Sequence, residues 1–552
     1  MSKSIAPHLV RLLTRLNGSS LPELDSSVSA LCDALEQGHV CLPIGKEISA
    51  QSLRRSKVVG EPGEFYPLIL DAAGRLYLQR YWDHEDRLAL SLLTRAASRP
   101  AHDPTLLAEG LGRFLADADA VQRTSVERAV TRGLSIITGG PGTGKTYTAT
   151  VALALLAEQF AATGVRARIA IAAPTGKAAA RIGESLRTTL EKFPLDPKVR
   201  AFLPTDASTL HRLLGSRPGS PDFKHSRENP LNAEVVVVDE ATMVDLPLMA
   251  RFFDAMRPDT RILLLGDKDQ LASVEAGHVL GDICSGLHDW SAGPLRENIS
   301  ELTRNYRFGE DSNIHRLSRA IRGGNEAAVR EILSREKPDL AATESPNIPS
   351  ATISARVTSG YRPYLTAATA DEALARFSDY RILAATRHGD GSVEHLNRTT
   401  ERALTGAGLI SPTDRYYAGR PIIIRRNDYT LRLFNGDIGI IRPDENSGGA
   451  LRAFFVGEDG STRALAPTRL PDHETAFAMT VHKSQGSEFR RVLVVLPPTD
   501  VPILSRELLY TAATRAREHV ELWWNDAALS ASLARSVQRF SGLRDRLWVR
   551  EK

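Results

Sequence analysis

The octapeptide GGPGTGKT at residues 139–146 constrains this chain more than any other feature. It fits the pattern G-x-x-x-x-G-K-[ST] at every fixed position. An apolar run, LSIIT (134–138), precedes it, and TYTATVALALLAEQ, a good helix, follows. A glycine turn between a buried strand and a helix lets backbone N–H groups wrap a phosphate where a Cβ would clash. Gly139, Gly140, Pro141, Gly142, Thr143 and Gly144 supply that cradle. Lys145 is placed to reach the β- and γ-phosphates, and Thr146 to ligate Mg²⁺.

The run VVVVDE (235–240) supplies the expected partner. A Mg²⁺-bound nucleotide needs a carboxylate at the end of a buried strand, and Asp239 fits. Glu240 fits the second role, orienting and deprotonating the attacking water. Further apolar runs, RIAIAA (168–173), RILLLGD (261–267), YRILAAT (380–386) and RRVLVVLPP (490–498), alternate with helical stretches. Such runs predict strands buried on both faces of parallel sheets. Residues 1–110 read as mainly helical, with a short β stretch around Gly74. Residues 415–470 read as short strands split by Gly, Asn and Asp turns, an antiparallel module inserted into a second α/β domain.

Composition narrows the function classes without choosing one. Lys+Arg total 70 and Asp+Glu 66, so the net charge of +4 permits nucleic acid without arguing for it. Cys32, Cys41 and Cys284 match no zinc spacing and make no disulfide scaffold, so a reduced, cytoplasmic setting is expected. Arg11 and Arg15 interrupt any secretory apolar region, and no stretch is apolar enough to span a membrane. A nuclease centre is not expected here. Pro258-Asp259 and Asp267-Lys268 imitate a nuclease signature, but Lys268 directly follows Asp267.

Eight ordered blocks then identify a resemblance. They are GGPGTGKT, APTGKAAARI (173–182), STLHRLLG (208–215), VVVVDEATM, LLLGDKDQLASVEAG, LTRNYRF, TVHKSQGSEF (480–489) and LLYTAATRAREHV (508–520). The set resembles superfamily 1 helicases and, more narrowly, the RecD family of RecBCD exonuclease V α chains. VVGEPGEFYPLILDAAGRLYLQRYW (58–82) extends the similarity towards the N-terminus.

The resemblance implies two RecA-like parallel-sheet motor domains, a helical N-terminal domain and a small SH3-like β insertion. The expected boundaries are 1–110 (partner binding), 111–325 (motor domain 1), 326–414 and 471–552 (motor domain 2), and 415–470 (insertion). It implies ATP with Mg²⁺, the metal held through Thr146 and Asp239. Gln122 matches an adenine-reading glutamine, and Glu488 an acid near the ribose. Gln270 matches a residue coupling nucleotide state to DNA, and Arg307 and Arg515 match arginines approaching the γ-phosphate from the two motor domains.

Single-stranded DNA contacts are expected from loops at the sheet ends. In the first motor domain these are Pro174, Thr175, Gly176, Lys177, Thr209 and His211. In the second they are Arg387, His388, Thr480, His482, Lys483, Ser484 and Gln485. Residues 216–230 read as a strand-separating pin or as an ordinary loop, with Phe223 able to stack on a base. In the insertion, Arg420, Arg425, Arg426 and Arg432 could track phosphates, and Tyr429 or Phe434 could stack.

The expected activity is an ATP-dependent 5′→3′ DNA helicase, the α subunit of a heterotrimer with RecB-like and RecC-like chains, polarity coming from the resemblance alone. A free-standing helicase is the alternative. An RNA helicase and a nucleotide-binding scaffold without hydrolysis are further readings. Any exonuclease activity is expected on a partner chain, and no membrane is expected as a partner.

Overall fold

In the computed structural model, the described residues are all except 1–4, 46–48, 165–166, 205, 218, 221, 290–292, 310–311, 345–349, 429, 458–459 and 549–552. They form two units. One comprises Met1–Lys268, Ala272–Arg304 and Gln538–Lys552, and the other Asp269–Leu271 and Asn305–Val537.

The first unit begins with a small sheet of β1 (Leu42–Pro43), β2 (Val59–Gly60), β3 (Leu68–Leu70) and β4 (Arg75–Leu78). Gly74, at φ +76°, makes the turn between β3 and β4. The central sheet contains β5 (Leu134–Gly139), β6 (Ile169–Ala173), β7 (Ser208–Thr209), β8 (Val235–Val238), β9 (Arg261–Gly266) and β10 (Ile299–Leu302). Its order is β10-β5-β9-β8-β6-β7, with every pairing parallel. The four valines of β8 are all buried, because helices cover both faces and leave no place for polar alternation. Register pairs Thr138 with Gly266 and Val238 with Leu264, so β5, β9 and β8 end within a few residues of one another. Their C-terminal loops therefore open along one edge, where parallel sheets place ligands.

The expected boundary at 110 falls inside a shared core. The helix Gln79–Ala97 packs on Leu246–Asp254, and Leu107 and Leu111 join the apolar layer over β5 and β9. A separate small core of Leu13, Leu24, Val28, Leu31 and Leu68 lies below residue 79.

The second unit holds β11 (Leu340–Glu344) and β12 (Tyr380–Ala384), followed by an inserted antiparallel sheet. The insertion consists of β13 (Pro421–Ile424), β14 (Ile438–Asp444), β15 (Ala450–Val456), β16 (Thr462–Leu465) and β17 (His473–Thr475), ordered β16-β15-β14-β13-β17. It runs past the expected limit of 470, because β17 pairs with β13. The chain then adds β18 (Ala478–Thr480), β19 (Phe489–Val495) and β20 (Ala516–Trp524), completing a parallel sheet ordered β11-β20-β19-β12-β18.

Two other limits shift. The helix Asn313–Arg322, expected in motor domain 1, packs on Arg506–Ala513 and belongs to the second unit. The segment from Gln538 onward, expected in motor domain 2, belongs to the first. There Arg539 donates to the carbonyls of Ser273, Glu275 and Gly277, and the buried Trp548 donates to that of Ile283. No helix among the described residues is long and apolar enough to cross a membrane.

Candidate active site

The phosphate loop is shaped by conformations only glycine takes cheaply. Gly142 and Gly144 sit at φ +81° and +84°. A Cβ on Gly139 would lie 2.6 Å from the Leu302 carbonyl oxygen and 2.8 Å from Thr143 Oγ1. Lys145 opens the helix Lys145–Thr163 and folds its Nζ back onto the carbonyls of Gly139 (2.6 Å) and Gly140 (3.1 Å). Thr143 donates to Gly140. Thr146 is half-buried in the first helical turn. Gln122 is buried and donates from Nε2 to Thr148 Oγ1 at 3.0 Å, which ties it to the same helix.

Asp239 follows β8, and its backbone N–H bonds Ala172 on β6. Its Oδ1 accepts from the Glu240 N–H at 2.9 Å. Burial first, then the charge of Glu240, pushes the Asp239 carboxyl up to about 6 against the pull of that N–H, Lys145 and Arg181. Glu240 adopts φ +51°, one of two non-glycine residues among those described with positive φ. That conformation costs a side-chain-bearing residue about 1–2 kcal/mol, and such strain clusters at functional sites. Thr242, just beyond, exchanges hydrogen bonds with Asp267 and so links the DE loop to the loop after β9.

These residues fit a Mg²⁺–nucleotide. Gly139 admits no Cβ without a shift, the cation of the cradle is Lys145, and Thr146 and Asp239 offer hard oxygen donors. Mg²⁺ needs only one or two such ligands beside phosphate and water.

The arginines differ from expectation in their surroundings. Arg307 lies in the second unit with Arg515, not in the first. It pairs with Glu488 at 2.8 Å, and Arg517 holds the other carboxylate oxygen at 3.2 Å. Glu488 was expected beside a ribose. Here both of its oxygens are engaged and its side chain is 4% exposed. Arg515 is buried, donating to the carbonyls of Thr511 and Ser487. Gln270 is also buried and belongs to the second unit. Its neighbour Leu271 donates its N–H to Thr511 Oγ1 and accepts from Gln485 Nε2 at 2.7 Å.

Of the expected strand contacts, Pro174, Thr175, Gly176 and Lys177 are half-buried at the end of β6, with Thr175 capping the helix Gly176–Glu191. Thr209 caps Leu210–Leu214, and His211 is exposed. Ser216 and Phe223 form an antiparallel bridge. Phe223, read as able to stack on a base, is half-buried against the core, its ring meeting His211 edge-on and lying under Arg251.

In the second unit Ser484 and Gln485 turn inward. Ser484 donates to Val481 and Gln485 to Leu271, so neither is available to a strand in this conformation. Thr480 accepts from the Lys483 N–H, His482 is half-buried, and His388 meets Glu394 at 2.9 Å. Arg387 and Lys483 both end on Glu474, a residue with no signal in the sequence. In the insertion Arg425, Arg426 and Arg432 are exposed, Phe434 is half-buried, and Arg420 holds Thr475. Tyr429 lies outside the described residues.

A parallel sheet carrying a phosphate loop, an adjacent Asp-Glu pair and a second parallel α/β unit bearing arginine motifs define a nucleoside-triphosphate hydrolase of the superfamily 1 helicase class. Residues 122–276 match the model of an AAA domain, and 475–522 that of a UvrD-like helicase C-terminal domain. The RecBCD enzyme subunit RecD of Mycobacterium tuberculosis is 38% identical over 98% of this chain and 94% of its own length. That of Haemophilus influenzae is 34% identical over 76% of this chain and 71% of its own. The chain belongs to the RecD family. The ATP-dependent RecD2 DNA helicase of Deinococcus radiodurans is 30% identical over 81% of this chain but 54% of its own. Among solved structures, the Pif1 helicase of Candida albicans covers 75% of this chain and 95% of its own at 17% identity and TM-score 0.40.

Proposed function

We propose that this chain is an ATP-driven DNA helicase that moves 5′→3′ along one strand. It works as the RecD-type subunit of a RecBCD-type complex with RecB-like and RecC-like partners, unwinding duplex ends for repair and degradation in the cytoplasm. The observation that carries the reading is that parallel β5, β9 and β8 end at the same edge, which puts Lys145, Asp239–Glu240 and the loop from Asp267 along it. Mg²⁺–ATP, when bound, supplies the phosphoryl group whose cleavage drives the cycle.

The chain's own residues do the rest. Lys145 and the loop N–H groups hold phosphate oxygens, while Thr146 and Asp239 offer oxygens to the metal. Glu240, fixed by its strained backbone, takes the proton of the attacking water. Gln270 and Leu271 belong to the second unit while their flanks belong to the first, so this loop carries nucleotide state towards the strand-binding residues.

The partner-dependent reading is favoured over a free-standing helicase by identity, 38% to the M. tuberculosis RecD subunit against 30% to the RecD2 helicase. Affinity purification followed by unwinding of tailed duplexes tests it. Two larger partner chains and a 5′-tail requirement are expected. Full activity of the isolated chain, or a 3′-tail requirement, overturns it.

A further inference from the structure

On the second unit, three cations from separate elements meet one carboxylate. Arg387 follows β12, Lys483 follows β18, and Arg425 follows β13 of the insertion. Glu474, in the middle of β17, receives Arg387 Nη2 at 2.5 Å and Lys483 Nζ at 2.6 Å. Arg425 Nε lies 3.8 Å away, and its Nη1 is 3.5 Å from Asp472. The four hub side chains are between 24% and 40% exposed, so the cluster is open to solvent.

We infer that Arg387, Lys483 and Arg425 form one phosphodiester-binding locus shared by the motor sheet and the β insertion, with Glu474 as its built-in counter-ion. This rests on the helicase reading above. Arg387 and Lys483 were already expected near DNA. Arg425 was already read as able to track phosphates, so the new element is Glu474 as the competitor that joins it to the other two.

The chemistry follows from the charges. Three cations converging on a point attract a phosphodiester oxygen strongly, and a motor gripping through such a site would release it slowly. Glu474 cancels part of the field and offers Arg387 and Lys483 a partner when the strand leaves, while Arg425 has Asp472 nearer at hand. Binding then exchanges carboxylate contacts for phosphate contacts, which weakens the grip and reduces net counter-ion release.

The test compares the full-length chain with Glu474→Gln, Arg425→Ala and the double variant, measuring affinity for an oligothymidylate across a salt series. Glu474→Gln should tighten binding about threefold or more and steepen the salt dependence. Arg425→Ala should weaken binding and flatten the salt dependence, and the double variant should return towards the parent. Native melting of Glu474→Gln together with unchanged or weaker binding overturns the counter-ion role. Unchanged binding by Arg425→Ala overturns the insertion's share. Failure of the parent to bind the strand both alone and in its complex would instead overturn the helicase reading.

Discussion

Under the proposed function, Glu240 trades stability for chemistry. Its φ of +51° is a conformation that glycine would hold without strain. Glu240→Gly should therefore raise stability by about 1 kcal/mol, seen as a higher melting temperature. It should lower ATP turnover by roughly 10²–10⁴, because the proton acceptor is gone. Glu240→Gln should lose turnover similarly without the gain in stability. A destabilised glycine variant would show that the backbone is not strained, and near-normal turnover in the glutamine variant would remove Glu240 from proton transfer. At this scale the nucleotide residues were legible from sequence because their chemistry is local: Lys145 and Thr146 sit in one loop, and Asp239 and Glu240 are adjacent. Glu474 was not legible. Arg387 lies 87 positions from it and Lys483 nine, and only the fold brings them together.

Among elements, the buried strands were read well because continuous β-branched runs leave little choice of structure. The C-terminal strap was not. LRDRLW carries no local sign that it docks on the first unit, yet Trp548 sits so close to Gly286 and Gly293 that either could not carry a Cβ without a shift. The strap also sets the environment of Asp282, on the helix Val279–Cys284. Burial first, with Glu85 and Asp545 adding negative charge, pushes the Asp282 carboxyl up to about 7, against Ser541 and Arg544. Glu85 is raised too, chiefly by burial. An acid raised in the folded state holds its proton there after the unfolded chain has lost it. Stability therefore falls as pH climbs from about 4 towards 7 and levels off above. Asp282→Asn should make melting temperature depend less on pH between 5 and 8. At pH 8 it should be more stable by on the order of 1–2 kcal/mol after allowance for solvent screening. Part of the slope should remain, because Glu85 titrates in the same direction. A slope equal to the parent's would show that Asp282 is already ionised at pH 5.

For the whole molecule, the proposed mechanism assigns its residues to both units. The phosphate loop and the Asp-Glu pair belong to the first unit, while Arg307 and Arg515 both belong to the second. The sequence placed the two arginines in different domains because Arg307 follows β10 closely. The packing of Asn313–Arg322 on Arg506–Ala513 assigns it otherwise. Arg307 is engaged by Glu488, but Arg515 makes no ion pair among the described residues and is held only by two carbonyls. Replacing Arg515 therefore strands no buried carboxylate, and the fold should tolerate it better than the loss of an ion-pair partner. If Arg515 is the arginine that stabilises transferred charge, Arg515→Ala should lower strand-stimulated ATP turnover by on the order of 10³. Its affinity for a non-hydrolysable ATP analogue should stay within a few-fold of the parent. Arg515→Lys should recover only part of the rate, since an ammonium keeps the charge but lacks the planar fork. Lys145→Ala should instead lose analogue binding and turnover together, because it removes a first-unit contact to the phosphates. Calorimetric binding and steady-state turnover on the same four proteins separate these outcomes. Full turnover in a correctly folded Arg515→Ala chain would leave Arg307, once freed from Glu488, as the arginine able to act.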